Sequence, residues 1–238
     1  MLHPHEHRFP DAPALARALA GEIQVDLQEA IAMRGRGSLV VSGGRTPVML
    51  FNQLATEKLP WEKVSVTLAD ERWVDVHDAA SNERLVRSEL LQQRAATAQF
   101  IGLKNAATTP DEGAQWAWRS LARIARPFDV VVLGMGDDGH TASLFPPGPT
   151  NPSPHLTQAL DTSRPPACVV MQAPVAPQAR LSLNLNALLD ARRIILHIQG
   201  EAKWAVYQTA KAHGPTALLP IRAVLHQQEV PIDVFWSL

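Results

Sequence analysis

The chain has 238 residues, of which 46% are hydrophobic and 19% are charged, so it can bury a substantial core and is not of the disordered class. Its formal net charge of −1 argues against nucleic-acid binding through a general basic surface. No stretch approaches the roughly 18 apolar residues that a membrane span needs, and no apolar signal core precedes the first charged residues. We therefore expect one α/β domain over residues 1–238, with no membrane or nucleic-acid partner.

The single cysteine, Cys168, lies in the apolar run Ala167-Cys168-Val169-Val170 and is expected to be a small buried side chain. One cysteine excludes a disulfide within the chain, which favours a reducing compartment and hence the cytoplasm. Near the N-terminus, His3, His5 and His7 have spacing that can bind metal. No cysteine or spaced acidic cluster accompanies them, so we expect a solvated tail and no metal.

Short apolar segments alternate with helical patterns along the chain, which predicts a mostly parallel sheet with helices on both faces. The predicted strands are 38–41, 64–68, 128–133, 168–171, 193–198 and 232–236. The predicted helices are 12–33, 47–55, 82–94, 111–126, 183–190 and 201–213. The proline-rich segment 145–154 is expected to be a surface loop near the site.

The first strand is followed by the turn Ser42-Gly43-Gly44-Arg45-Thr46-Pro47. Thr46 suits the N-cap of the next helix and Pro47 its first position. Glycines that admit a ligand, helix amides and a neighbouring arginine together favour an anion site. The spacing of a P-loop is absent.

Three charged residues, Asp70, Glu71 and Arg72, directly follow the second predicted strand. Three charges at a strand end indicate either a cleft or mutual pairing, and the sequence leaves both open. Further on, Ser81 is expected to cap a helix whose first turn contains Glu83. A ligand-binding role for Asn82 is secondary.

The segment Leu133-Gly134-Met135-Gly136-Asp137-Asp138-Gly139-His140 follows the most apolar strand. Open α/β sheets place their chemistry at the carboxyl ends of strands, and an imidazole beside a carboxylate there suits proton transfer. The glycines also match a dinucleotide fingerprint, but the prolines that follow cannot continue the helix which that motif requires. We therefore favour a catalytic role for His140 over dinucleotide binding.

Lys203 lies in the first turn of a predicted helix, where a cation opposes the helix dipole, and an anion held at that helix end would offset the cost. Arg180 can belong to the same anion site or be a surface charge. The remaining histidines, including His197 within a strand pattern, have no sequence partner that indicates function.

Three segments together resemble the 6-phosphogluconolactonases: 42–47, 70–74 with Ser81-Asn82, and 133–146. Their order and spacing are familiar over residues 40–203, and the third segment is the most specific. The resemblance implies a Rossmann-like α/β fold, shared with glucosamine-6-phosphate deaminase and, more distantly, ribose-5-phosphate isomerase. It also implies a cytosolic hydrolase without metal or organic cofactor, and a monomer or weak homodimer is expected.

The resemblance implies that His140 is the general base in hydrolysis of 6-phospho-D-glucono-1,5-lactone and that Asp138 supports it. Asp70 is a second candidate carboxylate, and the sequence leaves open which of the two lies closer to the imidazole. The implied phosphosugar-binding residues are Gly43, Gly44, Arg45, Thr46, Arg72, Asn82, Arg180 and Lys203. Arg45 stands where the family often has serine, so contact through its side chain is left open. No G-x-S-x-G elbow is present, which favours direct attack by water.

Two alternatives remain. The first is a glucosamine-6-phosphate deaminase, but the run Ser143-Leu144-Phe145-Pro146 has no acid where that family carries a glutamate. Arg72 also stands where the deaminases tend to have an aromatic residue. The second is a non-catalytic sugar-phosphate sensor, but neither terminal segment is long or basic enough for an attached DNA-binding module.

Overall fold

The computed structural model describes residues 3–148, 154–177 and 179–238. Its strands are β1 (His5–Phe9), β2 (Gly37–Val41), β3 (Val64–Leu68), β4 (Asp70–Arg72), β5 (Gln99–Ile101), β6 (Phe128–Leu133), β7 (Cys168–Gln172), β8 (Ala179–Leu183), β9 (Ala191–Gln199) and β10 (Ile232–Ser237). Its helices are α1 (Ala12–Arg34), α2 (Val48–Leu54), α3 (Asn82–Glu89), α4 (Pro110–Leu121), α5 (Pro154–Leu160), α6 (Leu185–Leu189), α7 (Glu201–Lys211) and α8 (Ile221–Leu225). Short 3₁₀ helices cover Trp61–Lys63 and Gln93–Thr97.

Seven strands form a fully parallel sheet in the order β1-β10-β9-β6-β2-β3-β5. All residues of the central strands β2 and β6 are buried, as expected for strands covered on both faces. The chain progresses from β2 to β5 in one direction and from β6 to β10 in the other. Crossovers between parallel strands are right-handed as a rule, so connections that run in opposite directions across the sheet lie on opposite faces. The sheet therefore has helices on both faces, which confirms the predicted fold class.

Helix α1 shows how the sequence determines packing. Leu15, Leu19, Ile23 and Leu27 recur every four residues and are fully buried in the core beneath the sheet. Asp11 caps the helix by accepting a hydrogen bond from the Ala14 amide, and Gly35 ends it with a φ of 75°. The predicted helix 12–33 is therefore confirmed.

The predicted solvated tail is wrong, because residues 5–9 form β1 at one edge of the sheet. This strand lacks an apolar alternation, so its sequence gives no strand signal. Its polar side chains find partners in the fold instead: His7 bonds to Asp233, and Glu6 accepts hydrogen bonds from Tyr207 and Lys211.

A second difference concerns residues 168–171, which were predicted as a strand of the main sheet. They lie in β7 of a separate antiparallel sheet with the order β4-β8-β7. Cys168 is buried there as expected, and burial raises the pKa of its thiol to about 12. The strands β4 and β5 have three residues each, too few for a periodic pattern.

Several predicted boundaries also shift. The helix predicted over 82–94 ends at Glu89, and the one predicted over 111–126 ends at Leu121. The short helices α5 and α8 were not predicted. Of the proline-rich loop at 145–154, residues 149–153 lie outside the described residues, and Pro154 begins α5. No described helix is long and apolar enough to cross a membrane.

Candidate active site

A cleft of about 190 Å³ lies at the carboxyl ends of four adjacent strands, β3, β2, β6 and β9. The chain changes its direction of progress across the sheet between β2 and β6. Such a switch point leaves a crevice because the connections on either side run to opposite faces. The cleft therefore occupies the position at which open α/β sheets bind their ligands.

Most of the residues singled out in the sequence line this cleft. They are Gly43, Gly44, Arg45, Thr46, Asp70, Arg72, Asn82, His140 and Lys203. Asp138 and Arg180 are not on the wall of the cleft, but each lies beside a residue that is: Asp138 contacts His140, and Arg180 is opposite Arg72 in the β4–β8 register.

The His140 imidazole is held by Asp138. Its Nδ1 lies 2.6 Å from Asp138 Oδ1, and the same oxygen accepts a hydrogen bond from the His140 amide at 3.0 Å. The ring also packs against Phe145, with centroids 4.5 Å apart. Asp138, not Asp70, is thus the carboxylate partner of the imidazole.

The tight loop after β6 makes this pair possible. Gly139 has a φ of 74°, and its amide donates to the Gly136 carbonyl at 3.0 Å. A Cβ on Gly136 would lie 2.1 Å from His140 Nδ1 and 2.6 Å from Asp138 Oδ1. Only glycine at position 136 leaves room for the histidine and the aspartate together.

Asp138 is suited to remain ionised. Partial burial opposes its charge, but the hydrogen bond and electrostatic attraction from His140 outweigh burial and hold the pKa of Asp138 below its ordinary value. An ionised carboxylate at Nδ1 accepts a hydrogen bond from the N–H of that nitrogen, which leaves Nε2 as the basic atom of a neutral imidazole. The pair can therefore take a proton from a bound water.

Asp70 has a different partner. Its Oδ2 accepts a hydrogen bond of 2.6 Å from the buried Ser143 hydroxyl, and its backbone carbonyl accepts one from the Asn82 side chain at 2.8 Å. These contacts join the end of β3 to the β6 loop and to α3. Asp70 thus faces the cleft as a carboxylate fixed independently of His140.

The charged run 70–72 forms strand β4, so its side chains alternate. Asp70 and Arg72 line the cleft, whereas Glu71 points away and is buried. Glu71 accepts hydrogen bonds from the amides of Arg72, Asn82 and Glu83 and from the Ser81 hydroxyl. Burial raises the pKa of Glu71, and the three amides oppose that rise.

Ser81 caps α3 as predicted, accepting from the Arg84 amide. The role of Glu71 at this helix start was not predicted, because its only sequence signal is a charge after a strand.

The turn after β2 closes against α3. A Cβ on Gly43 would lie 1.9 Å from Asn82 Oδ1, and Gly44 has a φ of 97°. The predicted Thr46 cap is wrong: Pro47 occupies the N-cap of α2, and no side chain caps the helix. The turn itself, through residues 43–46, forms the wall of the cleft.

Several positive groups lie in or beside this cleft. Arg45, Arg72 and Lys203 line the cleft, and Arg72 Nη1 donates to the Ala80 carbonyl. Arg180 is buried, and its Nε and Nη1 have no acceptor among the described residues. Burial and the charge of Arg72 lower the pKa of Arg180, while Asp70 and Glu71 oppose this. Arginines without full pairing are suited to a bound anion.

His197 also lines the cleft, although no sequence pattern pointed to it. It is 2% exposed, and neither ring nitrogen has a partner among the described residues. Burial and the charge of Lys203 lower the pKa of His197 to about 3, so the ring is neutral at physiological pH. Its position in the site could not be predicted from the sequence, because His197 lies within the largely apolar run of β9.

The structure disfavours dinucleotide binding. No helix begins in the described residues between Gly134 and Gly148, so the glycine loop lacks the helix N-terminus that would receive a pyrophosphate. Among the described residues, the one cluster of three groups close enough to share a metal ion lies outside this cleft.

Fold and site together define an α/β protein with a histidine–aspartate pair and several positive side chains in a cleft at a switch point. A family model described as glucosamine-6-phosphate isomerases/6-phosphogluconolactonase matches residues 10–236. The chain belongs to this family.

Several relatives agree with this assignment. The chain is 44% identical over 231 residues to a 6-phosphogluconolactonase of Rhizobium meliloti, with 97% of each chain covered. It is 48% identical to the crystal structure of a 6-phosphogluconolactonase from Shewanella baltica, which covers 99% of this chain and 98% of that one with a TM-score of 0.92. A monomeric glucosamine-6-phosphate deaminase, 16% identical over 97% of this chain and 96% of its own, shares the fold with a TM-score of 0.74.

Proposed function

We propose that this protein hydrolyses 6-phospho-D-glucono-1,5-lactone to 6-phospho-D-gluconate, the lactonase step of the oxidative pentose phosphate pathway. The observation that carries the proposal is the placement of His140, oriented by Asp138, in the same cleft as Arg72 and Lys203. A lactone with a remote phosphate needs both a base at one end of its site and cations at the other. The names of the two 6-phosphogluconolactonases reported above support this substrate.

In the proposed reaction, Nε2 of His140 accepts a proton from water as the water oxygen attacks the lactone carbonyl carbon. The carbonyl oxygen becomes an oxyanion in a tetrahedral intermediate. That intermediate collapses with cleavage of the bond to the ring oxygen, which leaves as a hydroxyl by taking the proton back from His140. General-base assistance of this kind typically contributes about 10²–10⁴-fold.

Asp138 acts in this scheme through its contact with Nδ1. It fixes the ring and stabilises the imidazolium that forms when Nε2 takes the proton, since the carboxylate remains charged. Asp70 lies on the cleft wall at a fixed position, where it can accept a hydrogen bond from a sugar hydroxyl.

The positive side chains of the cleft supply phosphate binding in this proposal. Arg72 and Lys203 line the cleft, and Arg180 is opposite Arg72 in the β4–β8 register. Its Nε and Nη1 have no hydrogen-bond acceptor among the described residues. A phosphate near these groups would offset the repulsion between the two arginines. Its binding energy orients the distant carbonyl against the water. The remaining residues proposed to bind the phosphosugar also line the cleft: Gly43, Gly44, Arg45, Thr46 and Asn82.

Ammonia release from glucosamine 6-phosphate is disfavoured by the residues after His140. Ser143 donates its hydroxyl hydrogen bond to Asp70, and Phe145 packs on the imidazole. Residues 141–148 after the histidine include no carboxylate. The resemblance to the deaminases implies that those enzymes carry a proton-relay glutamate within the segment that corresponds to residues 143–146.

Acid release from freshly generated 6-phosphogluconolactone, measured above the spontaneous rate, tests the function. Ammonia release from glucosamine 6-phosphate is measured in parallel. We expect rapid acid release and no ammonia. Ammonia release without lactone hydrolysis would assign the chain to the deaminases, and tight phosphosugar binding with neither reaction would indicate a sensor.

His140→Ala tests the base. Hydrolysis should fall to near the spontaneous rate, a loss of about 10²-fold or more, while 6-phosphogluconate still binds. The exposed residue His77 provides the matched control, since His77→Ala should retain full turnover. Near-normal turnover in His140→Ala would remove His140 from this role.

We further infer that the chain acts as one domain on a free small molecule, without nucleic acid, in the cytoplasm, as a monomer or weak homodimer. The pairing of the first strand with the last supports a single domain, because β1 completes the sheet through β10. The nearly neutral net charge is consistent with the lack of a nucleic-acid partner.

A further inference from the structure

The edge strand β1 carries two histidines that converge on an aspartate of β10. His5 and His7 are two residues apart and so share one face of the strand. Asp233 is opposite His5 in the parallel register. His5 Nδ1 lies 3.0 Å from His7 Nε2 and 3.4 Å from Asp233 Oδ1, and His7 Nε2 lies 2.8 Å from the same oxygen.

These three atoms have the spacing of ligands around one ion. A triangle with sides of 3.0, 3.4 and 2.8 Å has a circumradius of about 1.8 Å, which is shorter than zinc–nitrogen and zinc–oxygen bonds of about 2.0–2.2 Å. A single ion placed to one side of their plane can therefore reach all three. Two imidazoles and a carboxylate are a donor set that suits Zn²⁺ and related divalent transition metals.

The surrounding residues hold two of these ligands in place. Arg193 Nε donates to Asp233 Oδ2 at 2.8 Å, which leaves Oδ1 for the shared position. The His7 ring stacks on Phe235 with centroids 4.4 Å apart and an interplanar angle of 21°. Hydrogen bonds to ligating carboxylates, such as the one from Arg193, orient the ligands of metal sites.

The local charge also favours a cation. Arg193 would repel one, but it is paired with Glu22 and Asp26 of α1 as well as with Asp233. Three carboxylates thus surround one guanidinium. His5 is largely exposed, so water can complete the coordination of an ion from the solvent side.

We propose that His5, His7 and Asp233 form a binding site for a divalent transition-metal ion, with Zn²⁺ as the best match. The site lies toward the amino ends of β1 and β10, whereas the catalytic cleft lies at the carboxyl ends of the strands. The ion would link the edge strand to its neighbour and take no part in lactone hydrolysis.

Zinc titration of metal-free protein, in competition with a chromophoric chelator, tests the site. We expect one equivalent of Zn²⁺ to bind at micromolar or lower concentration, and His5→Ala and Asp233→Asn each to weaken that binding at least tenfold. His213→Ala is the matched control, because His213 also lies against a second histidine, His226, but away from any carboxylate ligand set. It should leave zinc affinity unchanged.

A second measurement separates a folded site from chelation by a histidine-rich segment. Zn²⁺ should raise the thermal unfolding midpoint of the wild type but not of His5→Ala, since a ligand stabilises the state that binds it. His3→Ala should behave as wild type. Zinc affinity that depends on His3 and His5 but not on Asp233, or that is unchanged in both His5→Ala and Asp233→Asn, would overturn the proposal.

Discussion

His197 shows how burial changes the chemistry of a single side chain. The ring is enclosed beside Lys203, and its neutral form is favoured far below the pH at which an exposed histidine gains its proton. The unfolded chain has no such constraint. His197 therefore couples the stability of the fold to pH, quite apart from any contact with substrate.

Acid should destabilise the protein partly through His197. Between about pH 6.5 and pH 3 the unfolded state binds a proton at this residue that the folded state does not, so the free energy of unfolding falls as pH falls, by about 1.4 kcal/mol per unit. Denaturant unfolding of wild type and His197→Gln at pH 7 and pH 5 measures this. The loss between the two pH values should be about 2 kcal/mol smaller in the variant. Equal losses would contradict a neutral buried ring, and His77→Gln controls for an exposed histidine.

Lys203 is expected to act on the phosphate alone. Lys203→Ala should raise KM for 6-phosphogluconolactone by about 10–100-fold, the usual worth of a charged hydrogen bond, and leave KM for unphosphorylated gluconolactone nearly unchanged. Steady-state kinetics with both lactones distinguish the effects. Lys211→Ala, at the other end of α7 and paired with Glu6, is the matched control. An equal rise for both substrates would place Lys203 away from the phosphate.

Among the elements, the loop after β6 is the one whose side-chain arrangement was most predictable. Its Asp138 and His140 were selected because they follow a buried strand in a glycine-rich turn, and the structure joins them directly. The β4 segment was less predictable. Because side chains alternate along a strand, Asp70 and Arg72 face the cleft. Glu71 faces the other way and accepts hydrogen bonds at the start of α3. Strand alternation cannot be assigned over three residues until the partner strand is known.

Gly136→Ala tests the geometry of this loop. The added Cβ would overlap both His140 and Asp138, so the pair must separate, and kcat/KM should fall by about 10²-fold or more while the sheet stays folded. Activity together with circular dichroism measures this. Gly21→Ala is the control, since no atom lies within 4 Å of its Cβ position, and it should retain activity. Full activity in Gly136→Ala would show that the pair is not held as described.

Across the whole molecule, the two ends of the parallel sheet carry different tasks. The carboxyl ends hold the cleft, whereas toward the amino ends Asp129 of β6 joins neighbouring elements. Its carboxylate accepts hydrogen bonds from Arg34 at the end of α1 and from the amide and hydroxyl of Ser38 in β2. These contacts fix the central strands below the site.

Asp129→Asn should therefore separate stability from activity. Loss of the buried charge leaves Arg34 without its ionic partner, and the free energy of unfolding should fall by about 3 kcal/mol. At temperatures well below unfolding, kcat and KM should match the wild type because the cleft is at the opposite end. Asp161→Asn, which breaks an exposed pair with Arg164, should have little effect on stability. A large loss of kcat in folded Asp129→Asn would contradict this division.

The sequence by itself determined the fold class and selected the segment that contains the proposed general base. Apolar strands and amphipathic helices are local patterns, and so is a histidine two residues from an aspartate in a glycine turn. Only the tertiary structure decided that Asp138 is the partner of His140, that Glu71 turns away from the cleft, and that His197 enters it. It also placed His5 and His7, which were expected in a solvated tail, in an edge strand beside Asp233. These features depend on contacts between residues distant in sequence or on strand register, and a local pattern contains neither.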